Sequence, residues 1–395
     1  MKRTIIEVIL LVLSLSLIAS ACVSQEPGSA PAQQTKQAPA QQKGVAPNFA
    51  TAPAPGIETS SIPITVEIVD MGGRTITVPT PENLIRIYPD GSTSLMLFYT
   101  LAPDKLTAAP STGGGAFTEA QKVFLIPEVH DLPSYGTRSG GGTLNLEEIV
   151  RADVQMILSM GVASVSESDI SQADELQEQL GIPVVVISGE MEDYPEAYRL
   201  LGKLLGREDD AERIIEYTQD IIRTVEAVAA QVPVDQRTTL YYAQADDGLA
   251  TEPAQSNRSW VFNTAGATNI ADVEALGGYG QSAVSMEQVL SWNPQIIITQ
   301  GTAKAYETIM SDPNWSSIEA VKNGRVFKMP GMPYSWADRP PSVNRFIGLP
   351  WMANLLYPDL YEIDIVNFAI EYYKTMYHVE ISRDVMEEMM VDSIP

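Results

Sequence analysis

The chain has 395 residues, with 50 acidic side chains against 25 basic ones and a formal net charge of −25 at pH 7. An excess of this sign argues against nucleic acid or anionic lipid as partners, since both repel acidic surface. One cysteine excludes disulfides within the chain, and the two histidines, His130 and His378, stand far apart, a poor start for a site that takes a bare metal ion directly.

The chain opens MKRTIIEVILLVLSLSLIASAC, with Lys2 and Arg3 before a run from Val8 to Ala21 that is almost wholly apolar or small. A basic start, an apolar run and small residues before a cleavage point read as a secretory signal over residues 1–21. The run is shorter than the roughly 20 residues a membrane span needs. Cys22 follows Ala19, Ser20 and Ala21, an arrangement similar to the bacterial lipobox, whose cysteine is acylated and becomes the new N-terminus. Ala19 stands where that motif usually has Leu, and Glu7 interrupts the start of the apolar run; an ordinary signal peptide or an uncleaved anchor is the alternative. Loss of the segment before Cys22, with Lys2, Arg3 and Glu7, leaves the chain one unit more negative. Residues 22–61 are rich in Pro, Ala and Gln; they cannot bury enough apolar surface to offset the entropy of ordering and read as an extended tether. Signal, cysteine and tether describe a protein carried across the cytoplasmic membrane and anchored at its outer face, at a cell surface or in a periplasm.

About 335 residues remain, too many for one small core, which points to two lobes. ITVEIVDMGGRTITVP alternates apolar and polar residues on either side of Gly72 and Gly73, the pattern of a β-hairpin. LIRIYPDGSTSLMLFYTL gives a short strand, a turn at Pro89 to Gly91 and a helix. LNLEEIVRADVQMILSMG gives a short helix and a strand at Val154 to Leu158. DISQADELQEQLGIPVVVISG gives a helix stopped at Gly181 and a strand at Val184 to Ile187. From Tyr194 to Val232 the pattern is helical, with one break at Gly206; Ile214, Ile215, Ile221, Ile222, Val225, Val228 and Val232 fall on one stripe. TTLYYAQ reads as a strand, SWVFNTAGA as a helix, SMEQVLSWNPQIIITQG as a helix and a strand, and NGRVFKMPG as a turn and a strand. SVNRFIGLPWMANLLYP and DIVNFAIEYYKTMYHV read as helices. Such alternation implies parallel sheets with helical crossovers.

The segment PYSWADRPPSVNRF, residues 333–346, gathers Tyr334, Trp336, Asp338, Arg339 and Arg345 around Pro340 and Pro341. Proline fixes its own φ and keeps the residue before it out of the helical region, so Arg339 is expected to be extended and a helix to begin at Pro341 or Ser342. Such a stiffened loop is either a wall that meets a ligand or a surface loop with a packed Trp.

LNLEEIVRADVQMILSMG and VSMEQVLSWNPQIIITQG share a form, in which a glutamate near a helix start is followed by a strand ending in Gly, on opposite sides of the long helical stretch. The hairpin, RIYPDGSTSLMLFYTL, these two echoes, the helical stretch and NGRVFKMPG together resemble the binding proteins of ABC importers for iron–siderophore complexes and cobalamin, from about Ile64 onward. The resemblance implies an α/β fold of two Rossmann-like lobes joined by a long helix, with the ligand cleft between them. The divisions are 62–192 for the N-terminal lobe, 193–233 for the helical spine and 234–395 for the C-terminal lobe. It implies that Glu147 and Glu287, at matching positions in the echoes, dock onto arginines of a permease; a helix-start carboxylate of no further role is the plainer alternative. It also implies that Tyr88, Arg138, Arg258, Trp260, Tyr334, Trp336 and Arg339 border the cleft, where guanidiniums would pair with ligand oxygens and aromatics cover its flat parts. The ligand so implied is a metal chelate, first a ferric siderophore, with a corrinoid, a nickel chelate or an oxyanion as alternatives.

No HExxH, CxxC, P-loop or GxSxG element occurs, so the common metal and nucleophile signatures are missing. An extracellular enzyme on the same scaffold would need a nucleophile–base pair or a bound metal, and an acidic adhesion lipoprotein would show arrays or a flat face. The expectation is a monomeric binding protein with no catalytic residues and no cofactor.

Overall fold

The computed structural model describes residues 64–111, 117–138, 141–275, 280–301 and 304–395; the signal segment, Cys22 and the tether lie outside them. The first half holds the strands β1 (Thr65–Val69), β2 (Thr75–Pro79), β3 (Ile87–Pro89), β4 (Met156–Met160) and β5 (Val184–Ile187). Its helices are α1 (Ser92–Leu101), α2 (Glu119–Lys122), α3 (Leu146–Arg151), α4 (Glu167–Leu180), α5 (Tyr194–Leu205) and α6 (Glu208–Ala229). The second half holds β6 (Thr239–Ala243), β7 (Ala250–Thr251), β8 (Thr268–Asn269), β9 (Ser282–Ala283), β10 (Ile296–Thr299) and β11 (Val326–Lys328). Its helices are α7 (Trp260–Thr264), α8 (Met286–Trp292), α9 (Ala305–Ser311), α10 (Glu319–Lys322), α11 (Asn344–Leu356), α12 (Ile365–Tyr372) and α13 (Arg383–Met389).

β1 and β2 pair antiparallel with Ile68 opposite Ile76, and Ile68, Ile76 and Val78 are buried while their neighbours face out. Asp70 closes the turn, its Oδ1 accepting from the amides of Gly72 and Arg74 at 3.0 Å each; Gly73 takes the left-handed φ of 73° that the tight turn needs. Each lobe is built on its own parallel sheet, ordered β3-β4-β5 in the first and β11-β10-β6-β8 in the second. Helices cover both faces, so the strands are apolar throughout, as in VVVI and IIIT. This is the α/β architecture of two Rossmann-like lobes expected from the sequence. β4 starts two positions later than Val154, because Asp153 adopts φ 56° and the turn extends through Gln155, whose amide reaches Arg86 O at 2.9 Å.

The helical stretch is two helices. α5 ends on Gly206, at φ 66°, and α6 folds back along it: a Cβ on Gly202 would lie 2.8 Å from the Ala211 methyl, and Arg199 Nε meets Glu212 at 2.8 Å. α6 alone is the long spine, 22 residues or about 33 Å at 1.5 Å per residue. It buries Ile214, Ile215, Ile221, Val225 and Val228 and packs on α11. The lobes are tied elsewhere too. Ser342 Oγ donates to Thr93 O at 3.0 Å, Tyr99 OH donates to Tyr377 O at 2.9 Å, and the Tyr194 ring meets Phe346 edge-on at 5.7 Å. One apolar core therefore runs through both lobes, and a wide hinge opening would expose it to water. Among the described residues no helix is long and apolar enough to cross a membrane.

Candidate functional site

The carboxyl ends of parallel strands leave side chains at a sheet edge, where open α/β folds place their ligands. Here Asp90 directly follows β3, and Ser159 and Met160 end β4 just before Gly161, ahead of the α4 N-terminal region with Ser166, Asp169 and Gln172. From the other lobe come Arg258, in the turn before α7, and Tyr334, Arg339, Pro340 and Pro341. Together they enclose a cavity of about 820 Å³. Its wall is rich in hydroxyls, among them Ser92, Ser111, Thr137 and Ser164, and Tyr334 is the one aromatic side chain lining it among the described residues.

Each guanidinium in the cavity comes with a carboxylate. Arg138 donates its backbone N–H to Asp90 O at 2.8 Å, and its Nη1 lies 3.2 Å from Asp90 Oδ2 and 3.5 Å from Ser159 Oγ. Its Nη2 reaches Gln172 Oε1. Burial strips water from Asp90 and pushes its carboxyl up to about 6, against the opposing pull of Arg138 and Ser159. Arg258 Nη1 donates to Asp338 O at 2.9 Å, with Nε 3.9 Å from Glu252. Arg339 sits 3.5 Å from Asp338 Oδ2 and 3.7 Å from Glu252 Oε1. Its Nε and Nη2 are buried and have no hydrogen-bond partner among the described residues. Burial raises Asp338 and Glu252 above the usual carboxylate range as well. Each cleft guanidinium thus stands against at least one buried carboxylate, and Asp169 lines the cavity as well, so the cleft is less cationic than its three arginines alone would make it.

Arg345 sets the geometry of the second lobe's half. It is fully buried; Nε donates to Ala337 O at 3.1 Å, and Nη2 donates to Asn257 O at 2.9 Å and to Asn257 Oδ1 at 2.7 Å. One side chain thereby ties the segment carrying Arg339 to the turn carrying Arg258. Desolvation lowers its pKa to about 10, so it stays charged at neutral pH.

Of the seven residues expected at the cleft, Arg138, Arg258, Tyr334 and Arg339 line the cavity. Three do not, and these expectations are corrected. Trp336 is wholly buried, its Nε1 donates to Tyr373 OH at 3.0 Å, and its ring packs edge-on to Trp351 at 6.3 Å; the indole anchors the loop instead of facing a ligand. Tyr88 is also buried beneath the cleft floor, with its hydroxyl on Gly136 O at 2.6 Å. Trp260 lies half-buried outside the lining, its Nε1 3.4 Å from Glu192 Oε1. α11 begins at Asn344, after a turn at Ser342. Glu147 and Glu287 are exposed in the first turns of α3 and α8, and neither lines the cavity. Hydrogen bonds from its own backbone and from Ser285 hold the Glu287 carboxyl below its usual range. Asp90, Glu252 and Gln172 were not singled out from sequence, and Asp338 was noted only as a member of the proline-rich segment; the one cue to Asp90 was its place at a strand end before a helix. Among the described residues no group of three or more His, Cys, Asp or Glu side chains could hold a metal ion.

Two lobes on separate parallel sheets, a long helix beside them and a polar cleft between them define a class. Residues 163–333 match the family pattern described as "Periplasmic binding protein". The molybdate-binding protein MolA of Haemophilus influenzae is 31% identical over 155 residues, which are 39% of this chain and 42% of that protein. An ABC transporter solute binding protein from Sulfurospirillum deleyianum superposes with a TM-score of 0.74 at 27% identity, covering 82% of this chain and 99% of that one. MolA bound to molybdate superposes with a TM-score of 0.64 at 22% identity, covering 80% and 99%, a likeness of fold.

Proposed function

We propose that the chain is the extracytoplasmic solute-binding component of an ABC importer and that it captures an anionic metal compound, first an anionic ferric chelate. The observation that carries this reading is the convergence of Arg138, Arg258 and Arg339, from three separated segments, on one hydroxyl-lined cavity. Guanidiniums and hydroxyls recognise oxygen-rich anions through charge-assisted hydrogen bonds. A volume of about 820 Å³ suits an organic chelate, and the shared core resists the closure that would shrink it around a few atoms. The scarcity of aromatic lining argues against a corrinoid, which offers a broad apolar face. A metal oxyanion is the second reading, favoured by the hydroxyl-rich wall and by the sequence relative that is a molybdate-binding protein.

In this reading Cys22 carries the lipid that holds the monomer at the outer face of the membrane, the tether lets it move, and Glu147 and Glu287 orient it on the permease. The test is calorimetry with ferric dicitrate, sodium molybdate and cyanocobalamin. Micromolar binding of either anion with none of the corrinoid supports the reading; the reverse order overturns it.

A further inference from the structure

The pairing of each cleft guanidinium with a buried carboxylate raises a problem that an anionic ligand must solve. Asp90 lines the cavity, yet its side chain is only 4% exposed. It holds Arg138 at both ends, by its carbonyl and by its carboxylate. Facing Asp90 are Tyr88 from β3, Ser159 from β4, and Thr137 and Arg138 from the loop before α3. Asp169 and Gln172 of α4 and, from the other lobe, Arg258 and Arg339 stand around the same cavity. Arg138 is the cation in direct contact with it. An anion that reaches Arg138 therefore arrives beside an ionised carboxylate that is itself buried, and like charges repel more strongly there than between groups in open water.

We propose that the cleft takes up a proton together with its anion, and that Asp90 is the residue that accepts it. The inference rests on the anionic-ligand reading above. The proton comes from solvent and forms an O–H bond on the Asp90 carboxyl; no bond to the ligand is made or broken. Protonation removes the like charge, frees Arg138 Nη1 for the ligand, and turns an acceptor-only group into a donor. Anion and proton then favour one another by the same factor in either order of arrival. Burial already places the Asp90 carboxyl near neutrality, so the proton is within reach of ordinary pH. The class of ligand that gains is an anion lacking a proton of its own, such as molybdate or a deprotonated ferric chelate.

The experiment is a proton count. Full-length protein in weakly buffered salt is titrated with sodium molybdate, and separately with ferric dicitrate, at pH 6.5 and 7.5 in a pH-stat, with affinities from calorimetry. We expect uptake of roughly half a proton or more per anion at pH 6.5 and affinity several-fold weaker at pH 7.5. Asp90→Asn, which keeps the shape and the contact to Arg138, should take up none and bind equally at both values. Ser159→Ala, which deletes a hydrogen bond to the ionised form, should carry the uptake to higher pH, and it decides the matter if Asp90→Asn does not fold. Binding without uptake, or uptake that survives in Asp90→Asn and vanishes in Glu252→Gln, overturns the assignment. If neither anion binds at either pH, the anionic-ligand reading itself has failed, and this inference falls with it.

Discussion

Replacing Arg345 with Met tests whether one buried guanidinium assembles the second lobe's share of the cleft. The parent side chain makes three hydrogen bonds, to Ala337 O at 3.1 Å and to Asn257 O and Oδ1 at 2.9 and 2.7 Å. A hydrogen bond to a charged group contributes about 1.5–3 kcal/mol, and an acceptor left buried and unpaired costs about 1–3 kcal/mol. The sum is not simply additive, because removing Arg345 also relieves the desolvation of a guanidinium whose Nη1 has no hydrogen-bond partner among the described residues. Met restores most of the packed volume. The net loss should be about 2–4 kcal/mol, well below the raw sum of the bonds. Urea unfolding followed by far-ultraviolet circular dichroism measures it as a lower midpoint with an unchanged slope. Ligand affinity should fall by an order of magnitude or more even where the variant is fully folded, since Arg258 and Arg339 lose their common brace. A variant as stable as the parent that binds anions equally well would show that Arg345 positions nothing.

Arg339→Ala should weaken binding of an anionic ferric chelate by about 1.5–3 kcal/mol, the scale of one charge-assisted hydrogen bond, while Lys203→Ala on the exposed side of α5 changes it little; calorimetry reads both. The pH dependence of stability should carry the mark of Asp90. Its folded pKa, about 6, is above the unfolded value of about 3.9, so its contribution is fully present below pH 4 and is lost as pH rises through 6. The span is on the order of 2–3 kcal/mol at most, and Asp90→Asn should flatten the urea midpoint across that window; an unchanged pH profile in the variant counts against a buried, neutralising carboxyl. Glu147→Arg and Glu287→Arg should leave ligand affinity unchanged and impair uptake into cells, because both side chains are exposed and away from the cavity; a loss of affinity in either purified variant places it on the wrong surface.

The fold was legible where the signal was local. The hairpin, the strands at 87–89, 184–187 and 296–299, and the stop at Gly206 all follow from alternation, apolar runs and one glycine. The return of α6 along α5 was not, because it depends on Gly202 meeting Ala211, a contact that helical periodicity does not encode. The guanidiniums of the cleft were legible as charges on loops ahead of helices. The partner of Arg138 was not, because Asp90 lies 48 positions away; Asp338 stands next to Arg339, but nothing local marks an acid as buried. Trp336 shows the same limit from the other side: the prolines marked a stiff loop correctly, but which flank of it faces the core was settled by Tyr373 and Trp351, from helices further along the chain.

The most direct measurement is native mass spectrometry of the full-length protein purified from its own host without added ligand, followed by release and metal analysis of whatever it carries. An anionic, oxygen-rich iron or molybdenum species at one copy per chain, lost on Arg339→Ala, is the expected result. A corrinoid or other neutral ligand retained equally by parent and Arg339→Ala would contradict the assignment of the cleft to anions.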